Sequence, residues 1–262
     1  MKESLDRTNS NYTHIVFSPC HLYCQKGFEH FAQVRPSTGV ADQKESIQVT
    51  ARKGIMDGRW PSDDFQNKAT ELLNAAHKLA SEILDLLEPL AVPTNEPGTI
   101  SKSHTLWADD GQCTLRFLHY PALPVESTEK LLQDGYWRAG PHTDWCNCTL
   151  LFQRVEESAK GLECCANPRT GNPKEMYWTA VNPVEGGIAV NIGDMLARWS
   201  DGKLHSNLHR VRLPKDSSKP RYSIAFFAKS DKKTVIRSQE NEPITAGDYI
   251  LSRLNSNFSK TP

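Results

Sequence analysis

Two histidines and one aspartate of this chain have the types and spacing of a metal site. His142 and Asp144 form a His-x-Asp pair, and the segment Ser206 to Val211 supplies a histidine far downstream. Residues two apart on an extended strand point to the same face, so His142 and Asp144 can reach one ion. Two imidazoles and a carboxylate occupy one face of an octahedral iron(II) and leave three positions open. This set predicts iron(II) chemistry with a co-substrate and dioxygen.

The distal ligand has two candidates, because His205 and His209 lie four residues apart in the same stretch of chain. The residue types alone leave the choice open. Cys146 and Cys148 follow the His-x-Asp pair, but a site that keeps open positions needs no thiolate, and we expect both to be small buried side chains.

An arginine and a hydroxyl follow the distal histidines. Arg221 and Ser223 are two residues apart in a strand-like run, so their side chains share one face. Together they can hold a carboxylate of a molecule that is already bound at the metal. The pair predicts an anion clamp beside the metal.

Composition limits the other possibilities. The chain has 262 residues and a formal net charge of zero. No apolar run approaches the ~20 residues of a membrane span, and the Met1 to Asp6 start lacks the apolar core of a secretory signal. We expect a cytoplasmic protein with neither nucleic-acid nor membrane partners. Seven cysteines, an odd number in a chain of this size, favour reduced thiols. Cys20, His21 and Cys24 suggest a second metal group, but no further pair follows at zinc-finger spacing.

A helix and a series of strands must position these residues. Residues 62–88 repeat apolar side chains every three or four positions, which predicts an amphipathic helix capped by Ser62 or Asp63 and ended by Pro89. Short strand-like runs separated by turn residues fill the region from about 112 to 230 and predict a mainly β double-sheet jelly roll, a double-stranded β-helix, with supporting helices. Residues 1–43 show no period, so we expect an irregular segment before a domain over 44–262.

Several runs resemble the isopenicillin N synthase-like iron(II)/2-oxoglutarate oxygenases. Trp199 to Lys203, followed by Ser206 to Val211, is similar to the family run W-S/T-N-G-x-x-x-S-x-x-H-R-V. The likeness extends from about Lys44 to near Leu254. Its densest matches resemble the fungal thymine 7-hydroxylase branch: Leu115 to Ala122, Arg138 to Gly140, Leu150 to Gln153, and Leu196 to Ser200.

The resemblance implies roles for individual residues. It implies that His209, the histidine before Arg-Val, is the third ligand to iron(II), and that Arg221 and Ser223 bind the distal carboxylate of 2-oxoglutarate. Tyr120 matches a tyrosine that helps to hold this carboxylate, although it also fits a core aromatic; Leu118 stands where the family has asparagine. The implied cofactors are iron(II) and the co-substrate 2-oxoglutarate, with ascorbate as a third candidate.

The sequence pattern identifies the substrate-binding residues less clearly than the metal ligands. Arg138 and Phe227 are candidates for the mouth of the barrel, where one would pair with a polar group and the other would stack. Their alternatives are a surface cation and a core residue. No run here resembles the front strands of the family, so we expect that the chain starts partway into the family frame.

Three functions are compatible with these observations. The first is a dioxygenase that oxidises a small organic molecule with release of succinate and CO2. The second is an oxidase of the same fold without 2-oxoglutarate, in which Arg221 and Ser223 hold a carboxylate of the substrate. The third is a non-catalytic or regulatory jelly-roll protein.

Overall fold

The computed structural model describes residues 27–31, 33–35, 37–92, 96, 98–165 and 175–258. Cys20, His21 and Cys24 lie outside these residues. In chain order the elements are β1 (Gly27–His30), β2 (Glu45–Thr50), α1 (Asp63–Ala91), β3 (Thr114–Tyr120), α2 (Val125–Gln133), β4 (Ala139–His142), β5 (Cys148–Gln153), β6 (Leu162–Cys165), β7 (Trp178–Ala180), β8 (Ala189–Ile192), α3 (Asp194–Trp199), β9 (His209–Val211), β10 (Arg221–Ala228), β11 (Val235–Ile236), β12 (Ile244–Thr245) and α4 (Ala246–Phe258).

Two antiparallel sheets make up the barrel. The major sheet has the order β1-β2-β3-β10-β5-β8, the minor sheet has the order β4-β9-β6-β7, and β11 and β12 form a separate pair. Non-sequential neighbours, such as β3 beside β10, are typical of a double-stranded β-helix. The jelly-roll fold expected from the sequence is therefore confirmed, with its strands β3 to β10 inside the expected 112–230.

The two faces of the major sheet differ in polarity. On β10, Phe226 is fully buried in an apolar core with side chains of α1, whereas Arg221 and Ser223 point to the opposite face. The cross-strand partners of Arg221 and Ser223 on β3 are Tyr120 and Leu118, so these four side chains share the inner face. The barrel interior is thus lined largely by polar groups, and its outer face packs on the helix.

Helix α1 begins where the sequence predicts. The Ser62 hydroxyl accepts a hydrogen bond from the backbone N–H of Phe65, which is an N-cap. The expected end at Pro89 is wrong, because the helix continues to Ala91. A proline removes only one backbone donor, and Val92 N–H closes the last turn on Glu88 O at 2.8 Å.

The expectation of an irregular segment over residues 1–43 is wrong for Gly27–His30. This strand pairs with β2, and Val34 forms a bridge with Ala41. The backbone edge of β2 supplies hydrogen-bond partners that do not depend on a side-chain period. In the described part of the chain, each helix is too short or too polar to cross a bilayer.

Candidate metal centre

Three side chains converge between the two sheets. His142 ends β4 and pairs with His209 at the start of β9, and Asp144 lies two residues beyond β4. The Nε2 atom of each histidine lies 3.8 Å from one carboxylate oxygen of Asp144. One ligand atom from each side chain lies within 4.8 Å of the others. This spacing suits three ligands on one face of an ion.

The other candidate ligands predicted from the sequence are not part of this group. His205 is exposed, and the described cluster uses His209. Cys146 and Cys148 are fully buried. Burial raises the pKa of the Cys146 thiol well above its ordinary value and that of Cys148 to about 12. Both are small buried side chains, as expected, and they are protonated at neutral pH.

Both imidazoles are held with one nitrogen facing the ion position. Nδ1 of His142 lies 2.7 Å from Gly140 O, and Nδ1 of His209 lies 3.0 Å from Asn207 O. A carbonyl only accepts, so each Nδ1 carries the proton and donates it. In the neutral form of each ring, Nε2 then has the lone pair that a metal ligand requires.

Asp144 is held as a carboxylate by neighbours on the major sheet. Its Oδ2 accepts from the hydroxyl of Thr149 at 2.6 Å and from Nδ2 of Asn191 at 3.1 Å. Burial raises the pKa of Asp144, but His209 and these two donors outweigh burial, and the pKa lies below its ordinary value. Thr149 and Asn191 pair across β5 and β8, so two adjacent strands fix one ligand.

His142 is kept neutral by its surroundings. Burial, followed by the charges of Arg35, His209 and Lys44, lowers the pKa of His142 well below its ordinary value. Two imidazoles and one carboxylate form the donor set that suits iron(II) with open positions. The residues therefore fit the metal that the sequence pattern predicts.

An anion clamp lies on the inner face of the major sheet. Arg221 is 1% exposed and donates from Nε to Ala159 O at 2.9 Å, from Nη1 to Ser223 Oγ at 3.2 Å, and from Nη2 to Gln153 Oε1 at 2.9 Å. Its guanidinium carbon lies 4.8 Å from the ring centroid of Tyr120. The sequence-predicted Arg221, Ser223 and Tyr120 are thus brought together around one buried cation.

The two substrate candidates have different surroundings. Arg138 is 2% exposed, and its guanidinium donates to Ser158 O at 3.2 Å and Lys219 O at 3.4 Å. It lies 5.9 Å from the Tyr120 ring centroid, on the clamp side of the barrel rather than exposed on its rim. The register of β4 shifts between Ala139 and His142, so strand alternation does not fix the face of Arg138 relative to His142.

Phe227 faces the barrel interior. It is partly buried and pairs with Thr114 on β3 and with Thr149 on β5. Thr149 bonds the Asp144 carboxylate. Phe227 therefore lies across the sheet from a residue that orients a metal ligand.

Three polar residues of the centre were missed as site residues in the sequence. Gln153 meets the clamp arginine, and Thr149 and Asn191 hold Asp144. Two of them, Thr149 and Gln153, could have been identified from the sequence, because alternation along β5 puts both on one face. Asn191 could be identified only from the pairing of β8 with β5, which no local sequence pattern predicts.

Comparison with known proteins gives one family. Residues 112–230 match the 2OG-Fe(II) oxygenase superfamily. The chain is 36% identical over 191 residues to UPF0676 protein C1494.01 of Schizosaccharomyces pombe, and the match covers 70% of this chain and 54% of that protein. It is 31% identical over 203 residues to the 2-oxoglutarate-Fe(II) type oxidoreductase ppzD of Metarhizium majus, covering 76% and 54%.

A solved structure shares the fold. The full-length thymine 7-hydroxylase of Neurospora crassa, in complex with alpha-KG, superposes with a TM-score of 0.69 at 27% identity, covering 88% of this chain and 73% of that one. The chain spans about half the length of the curated relatives that it matches.

Proposed function

The chain belongs to the 2OG-Fe(II) oxygenase superfamily, and from this we propose that it is an iron(II)- and 2-oxoglutarate-dependent dioxygenase acting on a small organic molecule. Substrate, 2-oxoglutarate and dioxygen are converted to oxidised product, succinate and CO2. The observation that supports this most directly is the joint presence of the metal-ligand group and a buried anion clamp inside one barrel.

The proposed roles follow from the contacts. His142 and His209 bind iron(II) through Nε2, and Asp144 binds it through its carboxylate. Arg221, Ser223 and the Tyr120 ring receive the distal carboxylate of 2-oxoglutarate in a buried setting, where a charge-assisted hydrogen bond is strong. Ascorbate remains a candidate cofactor.

Iron(II) and 2-oxoglutarate, when bound, supply the activation of dioxygen and the two electrons that substrate oxidation does not provide. The chain itself orients the ligands, holds the keto acid in one direction and limits access of water to the centre. Phe227 lines the substrate side. Arg138 is assigned to the support of Tyr120, since two backbone carbonyls already accept from its guanidinium.

The test is spectroscopic and then catalytic. Anaerobic protein with iron(II) and 2-oxoglutarate should develop the weak visible metal-to-ligand charge-transfer band, and Asp144→Asn should lose it. Folded wild-type protein without the band would overturn the proposal.

Turnover then separates the related alternatives. Under air, succinate formed in proportion to oxidised substrate supports the dioxygenase. Substrate oxidation without succinate would indicate the oxidase, in which Arg221 and Ser223 hold a substrate carboxylate. Metal binding without any decay of 2-oxoglutarate would indicate a regulatory jelly-roll protein. A cytoplasmic location, with neither nucleic-acid nor membrane partners, stays a prediction from the sequence.

A further inference from the structure

Two cations other than Arg221, the buried Arg116 and the partly buried Lys229, face the interior of the barrel near the metal centre. Arg116 lies on β3 opposite Ala225, and Lys229 follows β10 directly. Alternation along the strands puts both on the face that carries Phe227. The Lys229 ammonium lies 5.4 Å from the Phe227 ring centroid and donates to Thr114 Oγ1 at 3.1 Å. Arg116 and Lys229 therefore flank the residue proposed to line the substrate side.

Both cations lie within electrostatic reach of the metal ligands. Burial lowers the pKa of Arg116 and of Lys229, and the Asp144 carboxylate opposes this shift in each case. Glu29 contributes the largest opposing charge at Arg116. These electrostatic effects agree with the strand register, which puts Phe227 beside Thr149, the partner of Asp144.

Within the part of the chain that the structure describes, the hydrogen-bond partners of Arg116 and Lys229 are neutral. Arg116 donates from Nε to Gln48 at 2.9 Å and from Nη1 to Gln33 at 3.4 Å, and Lys229 meets a hydroxyl and an aromatic ring. Arg221 and Arg138 likewise have neutral hydrogen-bond partners, whereas three other cations near the centre contact carboxylates directly. Arg35 and Lys44 share Asp42, and Arg210 lies 2.7 Å from Glu163.

The balance of charge around the substrate side favours an anionic ligand. On the substrate side, Arg35 and Lys44 share the Asp42 carboxylate, Glu29 is the largest opposing charge at Arg116, and the carboxylate that acts on Lys229 is the metal ligand Asp144. A buried charge without a charged partner is costly, and an arriving anion removes that cost. The 2-oxoglutarate anion does not supply this balance in the proposed function, because Arg221 serves it.

We propose that Arg116 and Lys229 form a second anion site and that the oxidised substrate is a small molecule with a carboxylate, held between them beside Phe227. This inference rests on the proposed function, since it assigns the substrate class of the same centre.

The test uses matched acids and amides on the full chain. The anaerobic complex with iron(II) and 2-oxoglutarate is titrated with acetate, benzoate and phenylacetate and with the three corresponding primary amides, and binding is read from perturbation of the charge-transfer band. At least one acid should bind roughly tenfold or more tightly than its amide, as expected for hydrogen bonds to a charged group. A panel in which no acid binds more tightly than its amide overturns the inference. Absence of the band before titration overturns the proposed function, and this inference with it.

Variants test whether Arg116 and Lys229 cause the preference for acids over amides. Lys229→Met and Arg116→Gln should each lose most of the acid preference and keep the band, whereas Lys229→Arg, which retains the charge, should keep the preference. Lys130→Met, at an exposed position of α2, is the matched control and should behave as wild type. An acid preference that survives in both Lys229→Met and Arg116→Gln contradicts the assignment.

Discussion

Each metal ligand of this centre is fixed by a neighbour that does not bind the metal. The carbonyls of Gly140 and Asn207 set the protonated nitrogen of the two histidines, and Thr149 and Asn191 hold the carboxylate of Asp144. Such outer contacts orient the ligands before the ion arrives, which reduces the ordering that binding must supply.

Removal of one outer contact should weaken iron binding. Thr149→Val keeps the shape of the side chain and removes the 2.6 Å hydrogen bond to Asp144. We expect the affinity for iron(II) to fall by about 10- to 100-fold, the range found for lost outer contacts. Anaerobic titration with iron(II) measures the change, with Thr179→Val on the exposed side of β7 as control. Equal affinities in the two variants would argue that Asn191 and the backbone orient Asp144 without Thr149.

The clamp should distinguish arginine from lysine. Arg221 uses three nitrogens on Ala159, Ser223 and Gln153, which holds the guanidinium plane in one orientation. Lysine cannot form this planar fork, so Arg221→Lys should raise the KM for 2-oxoglutarate by roughly tenfold or more with a smaller effect on kcat. Initial rates of succinate release measure both constants. Arg154→Lys, at an exposed position, should leave them unchanged, and an unchanged KM in Arg221→Lys would contradict the clamp.

At the scale of elements, the start of α3 supports the loop that carries Asp144. The N–H of Gly193 donates to Asn147 O at 3.0 Å, and the N–H of Asp194 donates to Asp144 O at 2.7 Å. A β-carbon built on Gly193 would lie 2.1 Å from Cys146 O, which is closer than any side chain can approach a backbone oxygen. The glycine is therefore required by the proximity of two backbone segments.

Gly193→Ala should displace this loop. We expect a loss of roughly 1 to 3 kcal/mol in the free energy of unfolding, the usual range for forced overpacking, together with weaker iron binding. Chemical denaturation and iron titration measure the two effects. Gly187→Ala, where the nearest backbone oxygen lies 3.1 Å away, should be milder. Wild-type iron affinity in Gly193→Ala would show that the loop can move without disturbing Asp144.

The elements also show how much of the site can be predicted from the sequence. The His142-x-Asp144 pair and the Arg221-x-Ser223 pair depend on local alternation, which the order of residues along one strand is enough to reveal. The contacts of Asn191 depend on which strands become neighbours, and β8 is joined to β5 across a long stretch of chain. The surroundings of Arg138, four residues before His142, also depend on tertiary structure, because the register of β4 shifts between Ala139 and His142.

At the scale of the whole molecule, a buried polar network joins the helical layer to the metal centre. The carbonyl of His104 lies 2.6 Å from Nε2 of His77 on α1, and Nε2 of His104 lies 2.9 Å from Nδ2 of Asn147. Asn147 also donates to Ser230 Oγ at 2.8 Å, just beyond β10. The network lies directly behind the loop that carries Asp144, so its loss affects both stability and the site.

This network makes stability depend on the protonation of one histidine. Nδ1 of His104 lies 3.2 Å from Ser101 O and donates to it, so Nε2 must accept from Asn147 and cannot carry a proton. Burial lowers the pKa of His104 from its ordinary 6.5 to about 4. Between these two pH values the unfolded chain binds the proton and the folded chain does not, so the free energy of unfolding falls as the pH drops through this window.

Urea denaturation of the metal-free protein at intervals from pH 7 to pH 4 should therefore show a fall in the free energy of unfolding. His104 contributes at most about 3 kcal/mol to this fall. His104→Gln removes the titrating group, so it should be less stable than wild type at pH 7 and should lose less on acidification. His205→Gln, an exposed position, should follow the wild-type curve. If His104→Gln loses as much stability as wild type between pH 6.5 and pH 4, the acid sensitivity arises elsewhere in the molecule.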